Sequence, residues 1–220
     1  MKIEMHAHTS EASPCANVSA TKIPALYQKA GYDAIVITDH YCKWAQDRSG
    51  LTDNDDYVQY FLNGYRSARK AAGQIGFTVL LGAEANLPGS SNDYLLYGIT
   101  EEFILTHPDI HEMSLPELYN LCHDNDILLL QAHPYRTYCN PADPQYLDGA
   151  ESYNGNPRHD NRNELAREWT DEFHMIESSG SDFHELEDVA KGGIKTDETI
   201  LDTRQLRDVL LSGQYQLLTP

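Results

Sequence analysis

Basic residues are scarce in this sequence: 16 Lys and Arg stand against 34 Asp and Glu, a formal net charge of −18. A surface of that sign repels a polynucleotide backbone at long range, which argues against general nucleic-acid binding. It leaves phosphate chemistry open, because each divalent cation adds two positive charges at the point of need. Long apolar runs are missing too. The richest, Ile127 to Leu130, is far too short to span a bilayer, so no membrane association is expected. The opening segment MKIEMHAHTS has no apolar stretch of signal-peptide length, and the expected location is the cytoplasm. Cysteine is sparse: Cys15, Cys42, Cys122 and Cys139 form no CxxC pair and read as free thiols of a reducing compartment. With no internal repeat, low-complexity run or linker, residues 1–220 read as a single domain.

What is present is a regular succession of short apolar strands and amphipathic helices. Ile3 to His6, Ala34 to Ile37, Phe77 to Leu81, Tyr94 to Ile99, Ile127 to Gln131, a segment before Glu151, and His174 to Ser178 read as strands. Helices are predicted from Thr21 (as N-cap) to Ala30, over Asp55–Ala72, over Ser114–Asn125 with a Ser114/Glu117 capping box, and over Thr203–Ser212 before Gly213. Alternation of this kind with short connections favours an α/β fold with a mostly parallel sheet. Nearly every strand hands over to a polar segment holding a His, Asp or Glu. Parallel barrels gather their active sites at the C-terminal rim of the strands, so a barrel is the natural reading.

Five of the ten histidines (His6, His8, His40, His133 and His184) fall at predicted strand ends. His6 and His8, two apart on a strand, point to one face and can aim at a single metal. Asp39 and His40 follow the strand AIVIT, with Asp39 either a turn residue or a group that orients an imidazole. Glu84 follows TVLLG, where a carboxylate can bridge two cations. His133 precedes Pro134, which predicts extended backbone at the histidine, and Arg136 offers a fork for a pair of phosphate oxygens. Asp182 and His184 repeat the two-apart spacing, with Gly180 expected to permit an unusual turn before them. The remaining histidines read as surface or capping groups, with His107 and His159 in reserve. Tyr41, Trp44, Tyr135 and Tyr138 sit in loops where they could stack on a substrate ring.

Read in order, HxHT, TDH, GxE, AHPYR and GSDFH resemble the motifs of the PHP (polymerase and histidinol phosphatase) family over positions 6 to 184. The resemblance implies a distorted (β/α)7 barrel with its active site at the C-terminal ends of the strands. It also implies two or three divalent metal ions (zinc, manganese or iron) and hydrolysis of a phosphate ester by a metal-activated hydroxide. Matched motif by motif, His6, His8, Glu84 and Asp182 would hold one metal and Glu84 and His133 a second. His40 and His184 would hold a third. Similar members carry a His ahead of a segment like LLYG, where this chain has Asp93, a harder ligand that favours manganese. They also carry a His or Asp shortly after HxHT, where Glu11 is the expected ligand and Cys15 the runner-up. Arg136 is expected to neutralise charge growing on the phosphate, and His40 or His184 to assist the leaving group. The expected substrate is a small phosphorylated metabolite or nucleotide.

Two other readings keep the same residues. Metal-dependent amidohydrolases also open with HxH and close with Asp; the order TDH, GxE, HPYR and the lack of a strand-end lysine suited to carbamylation oppose that reading. A non-catalytic metal-binding barrel would bind cations without turnover.

Overall fold

The apolar segments fold as strands and helices close to where their patterning predicts them, and a computed structural model describes all 220 residues. The first part holds β1 (Lys2–Ala7), α1 (Ile23–Lys29), β2 (Ala34–Ile37), β3 (His40–Tyr41), α2 (Lys43–Ser49) and α3 (Asn54–Ala72). The middle holds β4 (Thr78–Asn86), β5 (Asp93–Tyr97), α4 (Glu101–Thr106), α5 (Leu115–Asp124) and β6 (Leu128–Gln131). The last part holds β7 (Gly149–Asn154), α6 (Asn163–Phe173), β8 (Ile176–Gly180), β9 (Gly193–Lys195), α7 (Thr203–Ser212) and β10 (Gln216–Leu218). Polar caps set several helix starts: Asp53 accepts from Asp55 and Asp56 backbone nitrogens, and Glu117 reaches back to Ser114 N at 2.8 Å. Helix α1 starts after Lys22 rather than at Thr21. No helix is long and apolar enough to cross a membrane.

Seven strands, β1, β2, β4, β5, β6, β7 and β8, stand side by side as the staves of a nearly closed, distorted α/β barrel. The ring closes at its rim through a parallel bridge between Ala7 and Phe183, with His8 N donating to Phe183 O at 2.9 Å. Stave β5 is the main departure from a fully parallel sheet, running antiparallel to both β4 and β6. That reversal puts the start of β5, and so Asp93, on the rim where the other strands end. Side chains alternate between two apolar layers. Ile35, Ile37 and Leu81 face Tyr27, Phe61 and Leu62 of the outer helices, whereas Val36, Leu80, Leu95 and Leu130 fill the interior above Leu206 and Leu210 of α7.

One irregularity in β1 aims the first motif. The pairing with β2 slips by a residue between Glu4 and Ala7, a bulge that lets Met5 join the inner core while His6 and His8 both face the rim cavity. The buried Glu4 carboxylate satisfies the amides this slip involves: Oε1 accepts from Met5 N at 3.0 Å and His6 N at 2.9 Å. It also accepts Ser181 N at 2.8 Å, tying β1 to the segment that follows β8.

Candidate metal centre

The rim brings together His6, His8, His40, Glu84, Asp93, His133, Arg136, Asp182 and His184, residues drawn from both ends of the chain. The separations around the deepest point are those of a ligand shell. His6 Nε2 lies 3.1 Å from His8 Nε2, 3.3 Å from Glu84 Oε1 and 3.6 Å from Asp182 Oδ1. His8 Nε2 lies 3.3 Å from Glu84 Oε2 and 3.5 Å from Asp182 Oδ1. A tetrahedron with nitrogen and oxygen ligands at ~2.05 Å from its centre has edges of about 3.3 Å.

The proton positions reinforce this geometry. Glu151 Oε1 accepts from His6 Nδ1 at 3.0 Å, so the neutral ring turns an Nε2 lone pair to the centre. Ser13 Oγ donates to Asp39 Oδ1 at 2.6 Å and lies 3.1 Å from His8 Nδ1, which sets the same tautomer in His8. Two acceptor nitrogens and two carboxylates then face one another. An arrangement of this kind needs a cation between its members, and the residues fit a divalent metal. With protons alone available, burial pushes His6 down, but the charges of Glu84, Glu151 and Asp182 outweigh it and hold the ring well above the usual imidazole range. Burial likewise works against Glu84 and Asp182, yet His6 brings both well below the usual carboxylate range, helped by His40 at Glu84 and Arg136 at Asp182.

Glu84 extends the cluster to either side. On one flank His133 Nε2 lies 3.1 Å from Glu84 Oε1 and 3.9 Å from Asp93 Oδ2. Cys139 Sγ lies 3.6 Å from the other nitrogen of His133, Nδ1, so it orients that ring from behind. Burial and Arg136 push His133 down, while hydrogen bonds to Cys139 and Glu84 carry it up to about 10. On the opposite flank His40 Nδ1 lies 3.0 Å from Glu84 Oε2, and His184 Nε2 faces Cys15 Sγ at 3.2 Å. Burial raises the Cys15 thiol, but hydrogen bonds from His184 and His40 outweigh it and bring it down to about 5.

Several expectations are corrected. Glu11 is not brought to the cluster: its oxygens accept from Ser19 Oγ at 2.6 Å and Ala20 N at 2.8 Å, and Cys15 occupies that corner. Arg136 reaches the site as the partner of Asp182, with Nη2 at 2.5 Å from Oδ2 and Nε at 2.8 Å from Asn161 Oδ1. Its expected two-pronged grip on a phosphate is thereby taken up. His133 is not extended; φ is +28°, a left-handed backbone held by Glu151 Oε2 accepting His133 N at 3.1 Å. Gly180 supplies clearance rather than an unusual turn, since a Cβ there would meet His6 Cβ at 2.4 Å. His111 is buried against Tyr41 and Tyr57, and Tyr41, fully buried, cannot stack on a ligand.

Glu151 and Glu4 carry the centre from behind, and neither is a candidate on sequence alone. The available signal is a carboxylate in the middle of a strand, in KIEMHA and GAESYN, where a charge survives burial only with dedicated partners. Asp39, one of whose two sequence readings was to orient an imidazole, does so through Ser13. A cavity of about 360 Å³ opens above the cluster, with Trp44, Asn156, Arg158 and His159 on its walls.

Neither a protein-family profile nor a curated protein matches the sequence. Solved structures do match the fold. A two-domain protein from Bacteroides vulgatus containing a predicted PHP-like metal-dependent phosphoesterase superposes with a TM-score of 0.75 at 12% identity, covering 100% of this chain and 64% of its own. An amidohydrolase from Chromobacterium violaceum with bound sulfate gives 0.59 at 15% identity over 98% of both chains. A lesion-specific endonuclease from Pyrococcus furiosus gives 0.60 at 12% identity, covering 98% of this chain and 57% of its own. The likeness is one of fold: this chain is similar in fold to these solved structures, a PHP-like metal-dependent phosphoesterase domain among them.

Proposed function

We propose that the chain is a metal-dependent phosphoesterase acting on a small phosphorylated metabolite or nucleotide. The observation that carries this reading is the convergence at one point of His6 and His8, whose Nε2 atoms lie 3.1 Å apart and each 3.3–3.6 Å from an oxygen of Glu84 and of Asp182, lone pairs inward. Those four residues would hold one divalent ion; Glu84, His133 and Asp93 would hold a second. Bound there, such ions supply an activated water and neutralise charge on the phosphate oxygens. The protein does the rest. Glu151 and Ser13 keep the His6 and His8 lone pairs aimed, and Arg136 holds Asp182 in place while its Nη1 remains free of protein partners.

His40 and His184 have side chains 16% and 15% exposed, against 0% for His6 and His8 and 3% for His133. They therefore border the cavity, where the departing oxygen would emerge, and provide the positive charge it needs. A cavity of about 360 Å³ and a net charge of −18 suit a small anionic ester better than a polynucleotide. Assays of a generic phosphomonoester, a phosphodiester and a duplex oligonucleotide with added manganese or zinc test this. Monoester turnover that vanishes in His8→Ala is expected; no turnover with any metal, or activity unchanged in His8→Ala, rejects the reading. The similarity to an amidohydrolase favours a second reading, hydrolysis of an amide or lactone, which the same metals and an amide substrate would reveal.

A further inference from the structure

The loop after β7 gives the cavity a wall of donors that the metal cluster does not use. Arg158 and His159 line the cavity together with Arg136, in a chain with only 16 Lys and Arg against 34 Asp and Glu. Outside the cluster the lining holds one carboxylate, Glu185, and it is turned to Asn17 Nδ2 at 2.5 Å. Arg158 is fixed in place. Asp188, fully buried, accepts Arg158 Nη1 at 2.6 Å and Nη2 at 2.8 Å on separate oxygens, and Oδ2 also accepts the amides of His184 at 2.9 Å and Glu185 at 2.8 Å. A fork held by a carboxylate in this way is already oriented before any ligand arrives. The side chain is nevertheless 34% exposed; its one other protein contact is Glu187 at 3.4 Å, and Nε has no protein partner. Asn156 ties the loop to the centre, its Oδ1 accepting Arg158 N and its Nδ2 donating to Asp182 O, both at 3.0 Å. Burial and the neighbouring Arg136 push His159 down, so near neutral pH it is an uncharged ring with an N–H to offer.

We infer that Arg158 and His159, with the free Nη1 of Arg136, form a second anion position, so that the substrate carries a further acidic group, a carboxylate or a phosphate, on the alcohol that leaves. The inference rests on the phosphoesterase reading and deepens it. Cations at the centre would meet the charge of the phosphate under attack, and they leave these donors unengaged. A donor set lining a cavity discriminates strongly: a ligand without the matching acceptor displaces water from the donors and gives nothing back. The chain's charge of −18 opposes the approach of a doubly acidic ester, and a fixed guanidinium inside the mouth offsets that opposition where it matters.

The test is calorimetric binding of phosphonates, which cannot be hydrolysed, to the full chain loaded with manganese. The probes are phenylphosphonate and its 2-, 3- and 4-substituted forms bearing a carboxylate, a second phosphonate or a neutral carboxamide. At least one acidic probe should bind about tenfold more tightly than phenylphosphonate, the gain expected of charge-assisted hydrogen bonds, while the carboxamide of the same shape gains nothing. Whether the carboxylate or the second phosphonate gains more names the acid. Arg158→Gln should abolish the gain, read as the ratio of acidic probe to carboxamide within the variant, so that any loss common to both cancels. If Arg158→Gln does not fold, the comparison of acid with carboxamide in the unaltered chain decides the matter. No gain with any isomer, a gain that the carboxamide equals, or one that survives in Arg158→Gln overturns the inference. Phosphomonoester turnover without the acid-dependent gain would remove this position and leave the phosphoesterase reading standing. The gain without turnover of any phosphoester would do the reverse.

Discussion

The two flanks of Glu84 are built to opposite specifications. On the His133 side the ring is buried, its back is covered by Cys139, and its neighbour is the carboxylate of Asp93. On the His40 side the rings border the cavity and the neighbour is the exposed thiol of Cys15. One carboxylate serves both, Oε1 towards His133 and Oε2 towards His40. The difference teaches that a shared central ligand need not impose one chemistry on its neighbours. Burial and donor type are set locally, by the loops that deliver each partner.

Removing the shared ligand should collapse the contrast and have the largest effect. Glu84→Gln is expected to lower kcat/KM by more than about a thousandfold and to strip the ions that share this carboxylate, as seen by elemental analysis. Next comes a residue outside both flanks. Burial is the main cause that raises the Glu4 carboxyl from 4.5 to about 7. Folding thus favours its protonated form, and the stability it gives is full below pH 4.5 and lost as pH climbs to 7. The amount is roughly 3 kcal/mol, from 1.36 kcal/mol per pH unit. Denaturant titrations of the metal-free chain at pH 5 and pH 8 should show Glu4→Gln with a smaller difference between the two than the unaltered protein.

Glu151→Gln is expected to weaken metal binding by about 10–100-fold, since the carboxylate that orients His6 is lost. The loss should fall on the ion held by His6 and His8, and unchanged metal content would count against Glu151 as the group that orients His6. The smallest change sharpens the contrast: Asp93→His should move the ratio of zinc-supported to manganese-supported activity by roughly tenfold towards zinc. Finally, loading the apo chain with zinc in weak buffer at pH 7 should release protons. Neighbouring carboxylates hold His6 and His40 well above the usual imidazole range, and His133 stands at about 10, so these rings must lose protons to bind.

Much of the centre was legible because strand periodicity dictates direction. His6 and His8 share a face, and Glu84, His133 and Asp182 stand at or just beyond the rim ends of β4, β6 and β8. What failed lies where periodicity gives no direction. In the loop after β1, Glu11 and Cys15 are equally near in sequence, and the outcome turns on Ser19 and Ala20 offering donors to Glu11. Arg136 looked free because its partner, Asp182, is 46 residues away. The effect of Pro134 on His133 was overridden by a tertiary hydrogen bond from His133 N to Glu151. The antiparallel course of β5 was hidden for the same reason: the alternation of a strand is identical in either direction.

That reversal of β5 makes the connection from β4 a hairpin at the mouth of the barrel. The hairpin is laced to the loop behind His133: Ser91 Oγ donates to Tyr138 O at 2.5 Å and Asn140 N to Asn92 Oδ1 at 2.9 Å. Lengthening residues 87–92 would therefore drag on Cys139 and, through it, on His133. The helix bearing Trp44 has no such tether to that loop pair. Natural drift or laboratory redesign of substrate choice should accordingly travel through the Trp44 side of the entrance, leaving the laced side as the hinge post on which it swings.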